Sequence, residues 1–227
     1  MSIASDWNIQ QKNLKELISK KETFDSAKEL YLSMHKYLHF SDIDDTLMNQ
    51  LWKSLDTKDF SIMPTIKDVT IAWNIWHITR IEDLTINILL NESNQLFNKE
   101  WKKKLNVEFT DTGNAMTDDE IMELSRNINI DVLKEYRKAV GNQSQNILSK
   151  LVFEDMKRRV ESKNIEKILK EGGVTTHPDS IWLLDFWGRK NVAGIILMPG
   201  TRHQIGHLND CINLKEKIDK KKDYYKS

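Results

Sequence analysis

Apolar positions recur every three to four residues along most of the chain. The strongest run is DVTIAWNIWHITRIEDLTINILL, residues 68–90. On a helical period Trp73, His77, Ile81, Leu84 and Ile88 fall on one stripe. Ile71, Ile75, Ile78, Ile86 and Leu89 carry apolar character onto the other faces, so this segment is expected as a central helix covered by several neighbours. Pro64, Thr65 and Asp68 supply a boundary and an N-cap, and Asn91 is expected to close the far end in a left-handed conformation.

The same period predicts the other elements. Trp7, Leu14, Leu17 and Ile18 mark a peripheral helix over residues 6–20, and Phe24, Ala27, Leu30, Tyr31, Met34, His35 and Leu38 mark the first major helix. SDIDD, from Ser41, interrupts it before a shorter helix through Leu47, Leu51, Trp52 and Leu55. Residues 100–116 lack periodicity and hold Gly113 and Asn114, which predicts a long surface loop. Thr117 and Glu120 form a capping box, and Asp131 recaps a helix running to Leu151. Residues 151–171 are charged but periodic, a peripheral helix. EGGVTTHPDS is a clear break, followed by a short helix over residues 180–188 that Gly188 stops. The last major helix lies in MPGTRHQIGHLNDCINLKEKI, with a restart or kink at Pro199 and Gly200. The Lys-rich tail, KEKIDKKKDYYKS, reads as a solvated helix end that frays. No repeat or linker divides the chain, so residues 1–227 are expected as one domain.

Composition narrows this picture. With 3 Pro and 8 Gly among 227 residues and long runs of helix formers, the fold class is all-α. Basic and acidic residues balance at 34 each, so no global field favours nucleic acid or an anionic membrane. No apolar run approaches the length of a membrane span, and the first residues turn polar before a signal-peptide core develops. The single cysteine, Cys211, excludes an intramolecular disulfide and suits a reducing compartment. A cytoplasmic protein with a small-molecule substrate is expected.

Candidate chemistry gathers on histidine. His203 and His207 are four apart, one helical turn, so both imidazoles share a face and can reach one ion. His77 from a facing helix would complete three neutral nitrogen ligands, a set that leaves an open position for water or substrate. Spacing alone leaves an alternative standing, in which these are satisfied core or surface histidines. His35 and His39 form a second pair with the same spacing; His35 faces the core, and His39, beside SDIDD, is expected to be exposed. Asp210 lies three residues after His207 and is a candidate to orient that ligand or act as a base. Arg80, three after His77, is a candidate to guide an anionic substrate, or else to pair with Glu82 or Asp83. Cys211 reads as a small buried hydrophobe more than a ligand. His177, before Pro178, is expected in an exposed loop, and Trp76 and Trp187 are the tryptophans expected near a site. Glu-x-x-His, HExxH, CxxC and glycine-rich phosphate loops are absent.

IAWNIWHITRIED around His77 and MPGTRHQIGHLNDC around His203 and His207, with SMH at His35 and EYRKAV, resemble the DinB-like (YfiT-like) metalloenzymes. The resemblance implies a four-helix bundle, here with additional peripheral helices, and a three-His divalent metal site on His77, His203 and His207. It implies Zn or Ni as the usual metal and frequent homodimers. Characterised relatives include thiol S-transferases using bacillithiol or mycothiol, and a mycothiol-dependent isomerase. The leading expectation is an enzyme whose metal activates water or a low-molecular-weight thiol for transfer or hydrolysis. The rival is a non-catalytic metal-binding or interaction module of the stress-response type, which a closed fourth position would favour. A third reading is a small-molecule binder that uses His35 and His77 as buried hydrogen-bonding groups.

Overall fold

Cap residues punctuate the helix-forming runs and set the element order. The computed structural model describes residues 3–221 and 223–227. Its helices are α1 (Ile3–Leu17), α2 (Phe24–His39), α3 (Leu47–Lys53), α4 (Ile71–Glu82), α5 (Lys99–Leu105), α6 (Asp118–Asn127), α7 (Ile130–Lys150), α8 (Ser162–Lys170), α9 (Pro178–Gly188), α10 (Val192–Leu197) and α11 (His203–Lys220). Among the described residues the only β pairing is two isolated bridges, Met63 with Lys226 and Arg159 with Asn191, so the fold is all-α. Helix α2 packs on α7, α7 on α4, α4 on α11, and α11 returns to α2. Helix α1 lies across α2 and α11, while α8 and α9 pack on each other.

Helix α4 is the centre of this arrangement. Its N-cap is Thr70, whose hydroxyl accepts from Trp73 N at 3.0 Å; the Thr65 hydroxyl instead donates to Asp68 at 2.6 Å in the preceding turn. The expected start at Thr65 and Asp68 is therefore several residues early. Past Glu82 the helix continues in π form from Asp83 to Leu90, and Asn91 ends it not left-handed, as expected, but right-handed at φ -94, its N–H donating to Ile86 O. From Ile71 to Leu90 every residue except Trp73 is buried.

Such a helix cannot carry charge without partners. Arg80 is fully buried, and its guanidinium donates to Thr110 O at 3.1 and 2.9 Å, Asp83 Oδ2 at 3.2 Å, the Tyr136 hydroxyl at 2.9 Å and Gln95 Oε1 at 2.7 Å. Asp83 accepts in addition from Leu96 N at 2.7 Å, Phe97 N at 2.8 Å, Tyr136 at 2.5 Å and Asn87 Nδ2 at 2.8 Å. Glu82 faces the other way, toward α2. His35 Nε2 donates to one Glu82 oxygen at 2.7 Å, and His39 Nε2 meets the other. Burial alone would raise the Glu82 carboxyl, but His39 and His35 against its oxygens hold it well below the usual carboxylate range.

Several expectations are corrected here. His39 is not exposed but 2% accessible, because Glu82 draws the end of α2 into the core. Residues 100–116 are not all loop. Asn98 caps α5 by accepting from Glu100 N at 2.9 Å and Trp101 N at 3.0 Å, and the loop shrinks to residues 106–116. Residues 151–171 are not one helix: a 3-10 turn (Phe153–Lys157) and the Arg159 bridge precede α8. Asn129, not Asp131, caps α7, accepting from Val132 N at 3.2 Å. The tail does not simply fray, since Met63 and Lys226 exchange backbone hydrogen bonds at 2.9 and 3.2 Å.

Asp83→Ala strips a buried guanidinium, a hydroxyl and two backbone N–H groups of their shared acceptor. Urea unfolding should show a loss of roughly 3–5 kcal/mol; a loss under about 1 kcal/mol would mean that water replaces the carboxylate.

Candidate metal centre

The sequence places His77 one turn before the buried ion pair, on the side of α4 that faces α11. Its Nδ1–H donates to Thr112 O at 2.7 Å, which leaves the Nε2 lone pair to point inward. The His77 ring lies flat against Trp73, with centroids 4.6 Å apart and planes at 8°. Loop 106–116 supplies the acceptors: Thr110 O for Arg80, Asp111 O for Trp76 Nε1 at 3.1 Å, and Thr112 O for His77. Gly113 permits this approach. It has φ +79, and a Cβ there would stand 2.7 Å from Trp73 Nε1. The loop is anchored in turn by Thr112 N on Gly173 O at 3.1 Å.

His203 and His207 arrive from α11. A second π stretch, Met198–Arg202, precedes His203, and Thr201 Oγ1 donates to Ile196 O at 3.0 Å and Leu197 O at 3.1 Å within it. Gln204 locks the register: its Nε2 donates to Ile78 O at 3.0 Å while its Oε1 accepts from Arg137 at 3.1 Å. His207 Nδ1–H donates to Asn74 Oδ1 at 2.8 Å, so its Nε2 also carries a lone pair.

The ring nitrogens of His77, His203 and His207 lie within 4.8 Å of one another. His77 Nε2 and His203 Nε2 are 3.2 Å apart. A tetrahedral ion with Zn–N bonds of roughly 2.0–2.1 Å would set two ligands about 3.3 Å apart. A hydrogen bond between two imidazoles would satisfy that pair alone, whereas one cation would satisfy all three. Burial, with the His207 ring alongside, pushes His77 down to about 3 against its Thr112 hydrogen bond. His203 is pushed well down by burial and its two neighbours, and burial lowers His207 against the opposing pull of Asp210. All three therefore stay neutral near pH 7, as metal ligands must. The donor set fits a divalent ion of the Zn or Ni type.

A cavity of about 370 Å³ opens beside the three histidines. Its walls come from α9 (Trp182, Leu183, Phe186, Trp187), from α4 (Trp73, Ile81), from Met198 and Pro199, and from Asn114 of the loop. Trp187 is thus where the sequence suggests, but Trp76 is not: it packs on Phe97 and Arg80 behind the site. Trp73 and Trp182 take its place.

Arg80 does not face the cavity. Its donors are consumed by Thr110, Asp83, Tyr136 and Gln95, which overturns the expectation that it guides an anionic substrate and leaves the alternative, pairing with Asp83. Asp210 stands 3.7 Å from His207 Nδ1 with a side chain 58% exposed, so Asn74 and not Asp210 orients that ring. Asn74 escaped sequence reading. The available signal was its spacing, one turn before His77 on the same buried helix. Cys211 is buried, and burial pushes its thiol up, away from the thiolate a ligand needs. His177 is exposed, and its Nδ1 accepts from Asp179 N at 3.2 Å as the cap of α9.

A family model described as DinB superfamily matches residues 44–210. No curated protein matches the chain. No helix among the described residues is long and apolar enough to cross a membrane.

If Asn74 fixes the tautomer of His207, Asn74→Ala should weaken zinc binding by roughly 10–100-fold with the helical content unchanged. Competition against a chromophoric chelator measures this, and an unaltered affinity would assign the tautomer to another group.

Proposed function

The chain belongs to the DinB superfamily, and from that premise we propose that it is a metal-dependent enzyme whose ligands are His77, His203 and His207. The observation that carries this reading is the cavity of about 370 Å³ directly beside the three imidazoles. Three nitrogen ligands leave at least one coordination position open, and here that position adjoins space for a substrate. A purely structural site would be closed by a fourth protein ligand, and among the described residues no fourth His, Cys, Asp or Glu joins this group. The module reading is the weaker one for that reason.

Bound there, a zinc or nickel ion would lower the pKa of a water or thiol and polarise the bond under attack. The chain's own residues do the rest. Thr112 O and Asn74 Oδ1 hold two ligand rings in the tautomer that presents Nε2. Trp73 packs against His77, and the aromatic wall of α9 limits water around the reacting groups. Water and a low-molecular-weight thiol are the two nucleophiles this arrangement suits, giving hydrolysis or thiol transfer.

Elemental analysis of purified protein should find about one divalent ion per chain. His77→Ala and His203→Ala should each lose it while remaining folded. A wild-type protein that takes up no ion from zinc- or nickel-supplemented buffer would refute the metalloenzyme reading.

A further inference from the structure

The walls of this cavity, taken together with the metal reading above, select a class of molecule. Among the described residues no Lys, Arg, Asp or Glu lines it. Its polar side chains other than tryptophan are the three histidines and Asn114, whose Oδ1 accepts from Thr112 Oγ1 at 2.7 Å and leaves the amide nitrogen to donate. Two of its indoles have already spent their N–H groups: Trp73 Nε1 donates to Gly113 O at 3.2 Å and Trp182 Nε1 to Asp179 O at 3.0 Å. Those rings therefore offer a ligand only π faces and edges. Trp182 is 48% exposed and meets Phe186 edge to face, centroids 5.8 Å apart, so an aromatic pair stands where the cavity reaches solvent.

A carboxylate or ammonium carried past that pair would shed water with no opposite charge to replace it. Arg80, the cation nearest in sequence to His77, is sealed behind the site with Asp83. An aromatic body instead gains stacking and edge contacts along α9. Only the end at the histidines, where a divalent ion leaves net positive charge, suits an anionic atom. We propose that the pocket takes a small aromatic thiol, uncharged apart from the sulfur that meets the three histidines, and disfavours thiols whose bodies carry carboxylates.

Calorimetric titration of the zinc-loaded protein with 2-naphthalenethiol and with glutathione, in oxygen-free buffer, tests this. The naphthalenethiol should bind at least roughly tenfold more tightly. Trp182→Ala and Phe186→Ala should each weaken it several-fold, leaving zinc content and far-ultraviolet circular dichroism unchanged. Titration with 2-methylnaphthalene, the same body without sulfur, separates this proposal from the metal reading: it should bind even to zinc-free protein. Absence of zinc uptake alone would thus refute the enzyme and leave the pocket's preference standing. Glutathione binding as tightly as the naphthalenethiol, naphthalenethiol binding untouched by both variants, or no binding of 2-methylnaphthalene by folded protein would each overturn the proposal.

Discussion

Four strongly hydrated side chains, His77, Arg80, Glu82 and Asp83, project from less than two turns of one buried helix, and each must find a protein partner. An ion buried without one costs several kcal/mol. The answers come from separate parts of the chain. Loop 106–116 gives carbonyls to Arg80 and His77, α7 gives Tyr136 to Asp83, and α2 gives His35 and His39 to Glu82. Apolar contacts tolerate small slips between helices, whereas this set of directed bonds does not. The placement of α2, α7 and the loop around α4 is thereby tied to polar chemistry as well as to the core.

The candidate metal centre inherits its geometry from that constraint. His77 lies just upstream of the change from α to π winding at Asp83, and His203 just downstream of the π stretch ending at Arg202. Such stretches are uncommon and concentrate near functional sites, because each shifts the phase of the side chains that follow. Pro199 has no N–H to give to the turn before it, and just after it the Thr201 hydroxyl donates to the Ile196 and Leu197 carbonyls. Gln204 then fixes α11 to α4 through Ile78 O and to α7 through Arg137. His203 and His207 reach His77 from a helix whose start is set by side-chain hydrogen bonds rather than by propensity.

Periodicity made the helices and the buried face of α4 legible, and the four-residue step made the His203/His207 pair legible. What it could not reveal is which buried polar group takes which partner. Arg80 looked available for a substrate because its spacing from His77 fixes a face and says nothing of Tyr136, Gln95 or the loop carbonyls, which are remote in sequence. His39 looked exposed because the helix ends there, yet Glu82, 43 positions away, pulls it under cover. Asn74 was hidden for the opposite reason: an amide on a buried stripe resembles a defect in the pattern until its acceptor role toward His207 is seen. Loop 106–116 lacked any periodic signal, although its carbonyls hold the central helix.

The two buried histidine groups show why spacing alone never decided the chemistry. His35 and His39 have the same four-residue step as His203 and His207, and with Glu82 they too gather three ligand-type side chains. Their rings, however, stack at 3.8 Å with planes 10° apart. Parallel imidazoles send their lone pairs along parallel lines, so one ion cannot lie in the plane of both rings as good coordination requires. Hydrogen bonds within the chain also tie the two rings down. Gln145 donates to His35 Nδ1 at 2.8 Å, His35 Nε2 donates to Glu82 at 2.7 Å, and His39 Nδ1–H donates to His35 O at 2.9 Å, with His39 Nε2 against the other Glu82 oxygen. In the other group the rings are inclined by 57°, 68° and 70° to one another, and hydrogen bonds on Nδ1 of His77 and His207 leave the Nε2 lone pairs of both free. One cluster is a carboxylate clamp that fastens α2 to α4. The other is open to a cavity, and its inclined rings can aim at one ion; that difference in ring disposition and surroundings favours it as the candidate ligand set and the first as a structural brace.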